Sequence, residues 1–314
     1  MNILLTNTGR RTYLINFFLK TCLKYKIKIF ISDPSNLAPT FYLNKKITSL
    51  VSPKSENYSK YLSFIKKTIQ KKKIKCIIPI SDYELKLLGD QRYYFENLGV
   101  KVLISKKNVI KNCTNKVELA KFCRKNKLNY PKIFKNKKEY KFPMIIKKIE
   151  GFGSKGLKLV LKKNELIAFD KKFFAQEFIN GKEYGVDILN DLNGNYIDCT
   201  IKEKILMRAG ETDKSKIIYN NAIVKFSKKI SNSLKHIGNL DLDIIIKKKK
   251  IFIIDINPRF GGGYPATHLS GKNYIEYLIR DLKGLKNKKF FTKAKKITVM
   301  KGISLYSTKS KSYE

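Results

Sequence analysis

Short apolar runs alternate with longer amphipathic stretches up to residue 110. The runs at 2–6, 27–33 and 75–81 have the length and composition of buried strands, whereas the stretch 82–99 places its apolar residues at helical spacing. Strands that alternate with helices are typical of a parallel sheet covered on both faces. We therefore predict an α/β domain over residues 1–110.

The pattern changes after residue 111. A helix predicted at 114–127 is followed by short strands around a glycine loop (130–134 among them) and then by longer strands that alternate polar and apolar residues. Four lysines, Lys247–Lys250, separate two apolar runs and predict a hairpin turn. This order favours an antiparallel sheet with helices packed on it. We predict an α+β domain over residues 111–314.

Polar residues follow the predicted strands of the first domain. In a parallel sheet, ligands bind at the carboxyl ends of the strands. That rule makes four residues candidates for substrate binding: Arg10, Arg11, Asp33 and Asp82. Each of them could instead be a cap or an ordinary surface residue.

The apolar run 252–256 is interrupted by Asp255 and followed by Asn257. Side chains two positions apart on a strand point to the same face. We expect Asp255 and Asn257 to project together, with Ile254 and Ile256 packed on the opposite face. Carboxylate and amide oxygens on one face are ligands that suit Mg²⁺.

The segment KKIEGFGSKGLKLV contains Gly151, Gly153 and Gly156 in the spacing of a dinucleotide-binding loop. That type of site requires a helix directly after the glycines, but LKLVL alternates as a strand does. A glycine loop between two strands can cover phosphates with its backbone N–H groups, as the kinase loop does. We predict such a flap and exclude nicotinamide binding there.

Lys147 lies on the strand that leads into this loop, and it shares a face with Ile145 and Ile149. A lysine on an apolar face is unfavourable unless its ammonium group meets an anion. A phosphate would satisfy it. The alternative is an edge lysine whose head reaches water.

Composition excludes several classes of protein. The 314 residues are 43% hydrophobic, but no apolar stretch has the length of about 18 residues that a membrane span needs. The five cysteines form no CxxC pair and only two histidines accompany them, which argues against zinc. We expect a reduced, cytoplasmic protein.

The net charge of +42 raises the alternative of nucleic-acid binding. Most of the excess is lysine, with abundant Ile, Asn, Tyr and Phe, which is the composition that an AT-rich genome imposes. Arginine, which binds guanine and phosphate through two hydrogen bonds, is scarce. We consider nucleic acid the weaker interpretation, and salt-sensitive RNA binding would favour it.

The order of Lys147, the glycine flap, QEFINGKEYGVD and DINPRFGGGYPATHLSG resembles the ATP-grasp superfamily. The branch most similar is that of the single-unit ligases related to the large subunit of carbamoyl phosphate synthetase, and the likeness spans nearly the whole chain. It implies a Rossmann-like (pre-ATP-grasp) domain over 1–110. It also implies an ATP-grasp domain over 111–314, with a small lid subdomain at 111–176 and a catalytic subdomain at 177–314.

The resemblance also implies roles for individual residues. The ATP-binding residues would be Lys116, Lys147, Gly151, Gly153, Ser154, Gly156, Gln176, Glu177, Phe178, Ile179 and Glu183. The magnesium ligands would be Asp243, Asp255 and Asn257. The catalytic residues would be Arg259, on the transferred phosphoryl group, with Lys204 and Arg208. Glu211 joins the first-domain residues as a candidate for substrate binding.

The implied activity is an ATP-dependent ligation that passes through an acyl phosphate and releases ADP and phosphate. ATP and Mg²⁺ (or Mn²⁺) would be required, the partners would be a small carboxylate and a small amine, and a homodimer is compatible with the family. Asp255 departs from the glutamate that the family usually carries. Nucleotide binding with weak or no turnover is therefore the alternative.

Overall fold

The computed structural model describes residues 1–151, 156–208, 210–287, 291 and 293–307. Gly153 and Ser154 of the predicted flap lie outside these ranges. The chain divides into two compact units. The first contains Met1–Ile104 with the described parts of 273–290 and 300–314, and the second contains Ser105–Lys272 with those of 291–299.

Strands and helices are numbered here in chain order. The strands are β1 (Asn2–Thr6), β2 (Lys28–Asp33), β3 (Thr48–Val51), β4 (Ile74–Pro79), β5 (Lys101–Val102), β6 (Met144–Lys148), β7 (Lys158–Val160), β8 (Phe173–Glu177), β9 (Lys182–Asn190), β10 (Tyr196–Arg208), β11 (Glu211–Ile218), β12 (Gly238–Lys247), β13 (Lys250–Asn257) and β14 (Thr298–Met300). The α-helices are α1 (Thr12–Lys24), α2 (Tyr58–Lys72), α3 (Leu85–Asp90), α4 (Arg92–Asn97), α5 (Lys107–Thr114), α6 (Lys116–Lys125), α7 (Asn221–Leu234), α8 (Tyr264–Leu269) and α9 (Tyr274–Leu282).

The first unit is built on a parallel sheet with the strand order β3-β2-β1-β4-β5. The predicted α/β fold is confirmed. The helix predicted over 82–99 is wrong in detail, because a 3-10 turn at Asp82–Glu84 and the short helices α3 and α4 replace it. Helix α9 returns to this unit, where its Glu276 accepts hydrogen bonds from Lys24 (2.5 Å) and Tyr25 (2.8 Å).

The second unit contains two antiparallel sheets, as the α+β prediction requires. The larger has the order β13-β12-β9-β10-β11-β14, and the smaller has the order β7-β6-β8. Strand β7 follows the glycine segment and pairs with β6, so the predicted order of strand, loop and strand is confirmed. The strand predicted at 130–134 is wrong, since the structure has only an isolated bridge between Ile133 and Gln176 there.

The hairpin of β12 and β13 turns at Lys248 and Lys249, whose φ angles are 45° and 64°. Two successive positive φ angles are the geometry of a type I′ turn, so the turn predicted at Lys247–Lys250 is confirmed. Along the hairpin the register shifts, because Asp255 pairs with Asp243 whereas Ile253 pairs with Ile244. One residue of β13, Ile254, is therefore extra.

The extra residue corrects the predicted alternation of β13. Ile253 and Ile256 both pack in the core of the second unit, as expected for Ile256. Ile254 instead lines the same cavity as Asp255 and does not join Ile256 on the opposite face. A bulge is what allows two core residues three positions apart to share one face of a strand. Within the described ranges, no helix combines the length and apolar character that a membrane crossing needs.

Candidate active site

One face of the larger sheet collects the charged residues of four neighbouring strands. Asp241 and Asp243 of β12 lie opposite Asn257 and Asp255 of β13, and across the other edge Asp241 lies opposite Asp187 of β9. The opposite face carries the hydrophobic core of the second unit, including Tyr184, Val186, Leu240, Leu242, Ile253 and Ile256. The period of two along β9 and β12, together with the bulge in β13, therefore separates a charged face from an apolar one.

Two lysines neutralise the candidate metal ligands. The ammonium group of Lys116 donates to Oδ1 of Asp255. Nζ of Lys204 lies 2.8 Å from Oδ1 of Asp243 and 3.7 Å from Oε2 of Glu183. Each of the two predicted acidic metal ligands is thus paired with a lysine from another element of the unit.

Lys204 reaches Asp243 across a glycine. The lysine is on β10 and the aspartate on β12, and Gly185 of the intervening β9 lies between them. A Cβ atom on Gly185 would meet Cε of Lys204 at 3.6 Å and Oδ1 of Asp243 at 3.8 Å. Burial by itself would lower the pKa of Lys204, but the Asp243, Glu183 and Asp241 carboxylates outweigh it and raise that pKa.

Lys147 of β6 is buried, and none of the described carboxylates forms an ion pair with it. Its Nζ lies 3.5 Å from the carbonyl oxygen of Ile254 and 5.7 and 5.6 Å from the ring centres of Tyr130 and Phe174. Burial lowers the pKa of Lys147 to about 8, against the opposing influence of Asp255. A buried ammonium group of this kind gains most from an anionic ligand.

These groups surround a cavity of about 330 Å³. Its lining consists of Lys116, Lys147, Lys148, Gly151, Leu157, Glu183, Lys204, Met207, Gly210, Asp243, Ile244, Ile254 and Asp255. Four lysines and three carboxylates face a space whose size matches that of small-molecule sites. The cavity can therefore receive a polyanion together with a cation.

The oxygen ligands fit Mg²⁺ or Mn²⁺ when phosphates share the ion. Among the described residues, no three His, Cys, Asp or Glu side chains group closely enough to hold a metal by themselves. Mg²⁺ is commonly held by one or two carboxylates plus substrate phosphates, and not by an all-protein cage. Asp243 and Asp255, which pair across the hairpin, supply two hard oxygen donors of that kind.

Arg259 is fixed by an acid that the sequence reasoning missed. Its Nη1 lies 3.1 Å from Oδ2 of Asp241 and donates to the carbonyl oxygen of Phe260 at 3.3 Å. Asp241 precedes Asp243 by two residues on β12 and therefore shares its face. That spacing was the available signal, since a residue two before a candidate ligand points the same way.

A buried ion pair, also missed, lies on the same face. Asp187 and Lys202 are 0% and 1% exposed and bonded to each other. Asp187 also accepts from Thr267 of α8 at 2.5 Å and from Asn239 at 3.4 Å. Asn239 donates in turn to the carbonyl oxygen of Arg259 at 3.3 Å, so this network supports the segment that carries the arginine.

The predicted adenine hinge, Gln176–Ile179, lies at the end of β8. The N–H of Glu177 donates to the carbonyl oxygen of Lys132 at 2.8 Å, and Ile179 is buried. The side-chain Oε1 of Gln176 is buried and has no hydrogen-bond partner among the described residues. Phe178 is half-buried beside them. A buried acceptor without a partner is costly, and a ligand donor would satisfy it.

The remaining second-unit candidates lie around the cavity or near it. Gly151 lines it, and Gly156 has φ +78°, which a side chain rarely adopts. Arg208 is exposed and pairs with buried Asp213 at 2.9 Å. Glu211 lies opposite Arg208 at the start of β11 and packs against Gly262. The structure therefore brings together Lys116, Lys147, Lys204, Glu183, Asp243 and Asp255, with Arg208 engaged elsewhere.

The first-unit candidates lie at the carboxyl ends of their strands. Asp33 accepts hydrogen bonds from the backbone N–H groups of Gly9 (2.6 Å) and Ser35 (3.0 Å). Arg11 donates to the carbonyl oxygen of Ile80 at 2.8 Å, whereas Arg10 is exposed. Asp82 is buried at the start of its 3-10 turn. Asp33 and Arg11 thus have structural partners of their own.

Comparison with protein families shows which known domains the two units resemble. Residues 113–263 match the family model described as the ATP-grasp domain. The chain contains an ATP-grasp domain. Residues 3–103 match the PylC-like N-terminal domain, so the two matches follow each other along the chain. All of the cavity-lining groups of the second unit named above belong to the ATP-grasp match.

Known ligases resemble the chain over most of its length. A tyramine–L-glutamate ligase of Methanocaldococcus jannaschii is 27% identical in a 273-residue alignment that covers 83% of this chain and 79% of the relative. The L-amino acid ligase from Bacillus licheniformis has a TM-score of 0.67 at 17% identity, covering 90% of this chain and 74% of that one. The N5-carboxyaminoimidazole ribonucleotide synthetase from Thermotoga maritima has a TM-score of 0.68 at 16% identity, covering 91% and 76%.

These findings confirm the resemblance to ATP-grasp proteins and the fold that it implied. Together with the family match they support an ADP-forming ligase that makes a C–N bond. ATP-grasp proteins bind ATP with Mg²⁺, and one structural neighbour is a biotin carboxylase domain in complex with MgADP. The narrower likeness to the carbamoyl phosphate synthetase branch stays a prediction.

Proposed function

We propose that this protein joins a small carboxylate to a small amine at the expense of ATP, through an acyl phosphate. The observation that carries the proposal is the ring of lysines and carboxylates around one cavity, inside the segment that matches the ATP-grasp domain. The balance of four lysines and three carboxylates suits a nucleotide triphosphate with its metal. It does not suit an apolar ligand.

In the proposed reaction, a carboxylate oxygen attacks the γ-phosphorus of ATP, and the bond between that phosphorus and ADP breaks. The amine nitrogen then attacks the acyl carbon, the C–O bond to phosphate breaks, and the nitrogen loses a proton. Phosphoryl transfer of this kind relies on positioning and charge neutralisation. The products are an amide or peptide, ADP and phosphate.

The residues of the cavity would have different roles in this reaction. Lys147 and Lys116 would bind phosphate oxygens, with the backbone of the flap at Gly151 and Gly156 covering them. Glu183 would accept from the ribose hydroxyls, and Gln176–Ile179 would meet adenine. Arg259 would offset the charge that develops on the transferred phosphoryl group.

The metal would be held by Asp243, Asp255 and Asn257. When bound, it supplies charge stabilisation to the phosphate oxygens. Lys204, Arg208 and Glu211 would contact the substrate or phosphate. In the first unit, Arg10 has an exposed guanidinium that could bind a substrate carboxylate, and Arg11, Asp33 and Asp82 would shape the same strand ends.

Binding is the first test. Millimolar MgATP should raise the melting temperature of the folded protein by mass action, and NAD should give no comparable shift. Absence of any shift with MgATP would remove the basis of the proposal. Equal shifts with NAD would point to a dinucleotide site instead.

Turnover is the second test, measured as ADP release over pairs of carboxylates and amines. Tyramine with L-glutamate is the first pair, because the relative at 27% identity is named for it. Pairs of L-amino acids follow, because an L-amino acid ligase shares the fold. Formation of the amide must accompany ADP release, which separates ligation from ATP hydrolysis.

A second candidate function is nucleotide binding without turnover. The specific observation that favours it is Asp255, where a longer glutamate is usual. A MgATP-induced shift in melting temperature, with no ADP release over the whole range of pairs, would support this function.

A further inference from the structure

Two cations compete for the carboxylate of Asp255: Lys116 in the structure and a divalent metal ion in the proposed reaction. In the structure its carboxylate accepts from Lys116, the first residue of α6. Lys116 is only 5% exposed, and in the structure that carboxylate is its counter-charge. In the reaction proposed above, on which this inference rests, the same carboxylate would hold a divalent ion.

A divalent ion alone would find this position unfavourable. It would compete with the Lys116 ammonium for Asp255 and leave a buried cation without its counter-charge, which is costly. Lys147, enclosed by Tyr130 and Phe174, lies close enough to Asp255 and Lys116 for both to influence its charge. Two extra positive charges would therefore enter beside two buried ammonium groups.

A nucleotide removes this conflict, because its phosphates can receive the lysines. Asp243 presents the same arrangement, with Lys204 at 2.8 Å on its carboxylate. We propose that Lys116 occupies the carboxylate of Asp255 in the nucleotide-free protein. A divalent metal then binds at Asp255 only together with a nucleotide whose phosphates bind Lys116. Metal and nucleotide then enter as one complex, and free metal is excluded.

The direct measurement is titration of the nucleotide-free protein with Mn²⁺, followed by the EPR signal of the unbound ion. Wild type should bind Mn²⁺ weakly. Lys116→Met should bind at least about tenfold more tightly, since a competing hydrogen-bonded cation is lost. Lys116→Arg, which keeps the charge, should remain as weak as wild type.

Lys148→Met is the matched control. Lys148 lines the same cavity, is exposed, and makes no ion pair with a carboxylate in the described part of the chain. Its removal lowers the charge of the cavity equally but releases no metal ligand, so Mn²⁺ affinity should stay within about twofold of wild type, the scale of a surface charge. An equal gain in both variants would overturn the proposal, because bulk charge would then explain it.

Unchanged Mn²⁺ affinity in Lys116→Met, with circular dichroism showing a folded protein, would also overturn the proposal. If Lys116→Met does not fold, Lys116→Gln provides the same comparison with a polar side chain. In wild type, a non-hydrolysable ATP analogue should raise Mn²⁺ binding well above that of the protein and the analogue measured separately. A wild type that fails to bind the analogue contradicts the proposed function itself, whereas normal analogue binding with tight binding of free Mn²⁺ contradicts only this inference.

Discussion

A Cβ atom on Gly261 would lie 2.1 Å from Cγ of Asp241. Asp241 holds Arg259 at 3.1 Å, so the glycine makes room for the acid that orients the arginine. Its neighbours have similar partners, since a Cβ on Gly262 would lie 2.8 Å from Cγ of Glu211 and one on Gly263 would lie 3.2 Å from Nζ of Lys202. Gly261 is thus required by the side chain of Asp241, and its two neighbours lie against side chains of the same unit.

Gly261→Ala should therefore displace Asp241 and, through it, Arg259. We expect a loss of about 1–3 kcal/mol in the free energy of unfolding, the usual effect of overpacking, and a fall in ADP release. Gly302→Ala is the control, because a Cβ there meets nothing within 4 Å. Chemical denaturation of both variants measures the difference, and equal stabilities would contradict the crowding at Gly261.

Lys147→Met should weaken nucleotide binding, because it removes a buried ammonium group proposed to meet phosphate. Lys248→Met, in the hairpin turn, removes the same charge at an exposed position and should leave affinity unchanged. Since the pKa of Lys147 is about 8, nucleotide affinity of wild type should also fall as pH rises above that value. Isothermal titration at several pH values checks both points, and Lys147→Met should lack this fall.

Asp255→Asn should reduce turnover by at least about a hundredfold, the scale seen when one strong electrostatic stabiliser is lost. It should also destabilise the free protein by about 1–3 kcal/mol, because buried Lys116 loses its charged partner. Asp255→Glu retains the charge and should reduce turnover less. Rates of ADP release with the true substrates decide this: equal rates for wild type and Asp255→Asn would refute the metal assignment, and a large gain with Glu would identify a weakened ligase.

Lys202→Met should destabilise the protein by about 3–5 kcal/mol, because it leaves Asp187 buried without its counter-charge. The double variant Asp187→Leu, Lys202→Met should recover most of that loss, since removing both charges avoids the desolvation cost. Lys182→Met is the control on the same strands, where an exposed pair with Glu203 at 2.7 Å should contribute less than about 1 kcal/mol. Urea denaturation of the three variants tests this order of stabilities. A double variant as unstable as Lys202→Met would contradict it.

Stability of the first unit should depend on pH through Glu84. This carboxyl is 0% exposed and accepts from Tyr61 at 2.5 Å, and burial raises its pKa from 4.5 to about 7. The folded state therefore keeps a proton that the unfolded state releases between these values. The contribution of Glu84 to stability is therefore largest below pH 4.5 and falls as pH rises to 7, by about 3 kcal/mol in total.

Glu84→Gln should remove this dependence and stabilise the protein above pH 7 relative to wild type. Glu56→Gln, at an exposed position of the same unit, should leave the pH dependence of stability unchanged. Denaturation between pH 5 and 8 supplies the comparison. Parallel pH profiles for wild type and Glu84→Gln would refute the buried, protonated state.

The sequence predicted the elements whose signals are local. β1, β2, β4 and α1 follow from apolar spacing, and the turn at Lys247–Lys250 follows from four polar residues between two apolar runs. The strand after Gly156 was recognisable from its period of two, which excluded a dinucleotide site. Local patterns of this kind are the most reliable part of sequence interpretation.

Side-chain contacts that depend on the register between distant strands could not be predicted from the sequence. Lys204 meets Asp243 only because β9 lies between β10 and β12 and presents Gly185 at the crossing point. The spacing of Asp241 from Asp243 indicates their common face, but the contact of Asp241 with Arg259, which lies 18 residues further along the chain, is not encoded locally. The packing of α9 in the first unit is likewise a long-range event that apolar spacing does not encode.

The extra residue in β13 can be removed without reversing the strand. Deletion of Ile254 would restore regular pairing with β12 and leave Ile253 and Asp255 on their present faces, because their partners Ile244 and Asp243 are neighbours on β12. The deletion would instead remove the carbonyl oxygen that accepts from Lys147 and one side chain of the cavity lining. The bulge therefore shapes the cavity and leaves the assignment of residues to the two faces unchanged.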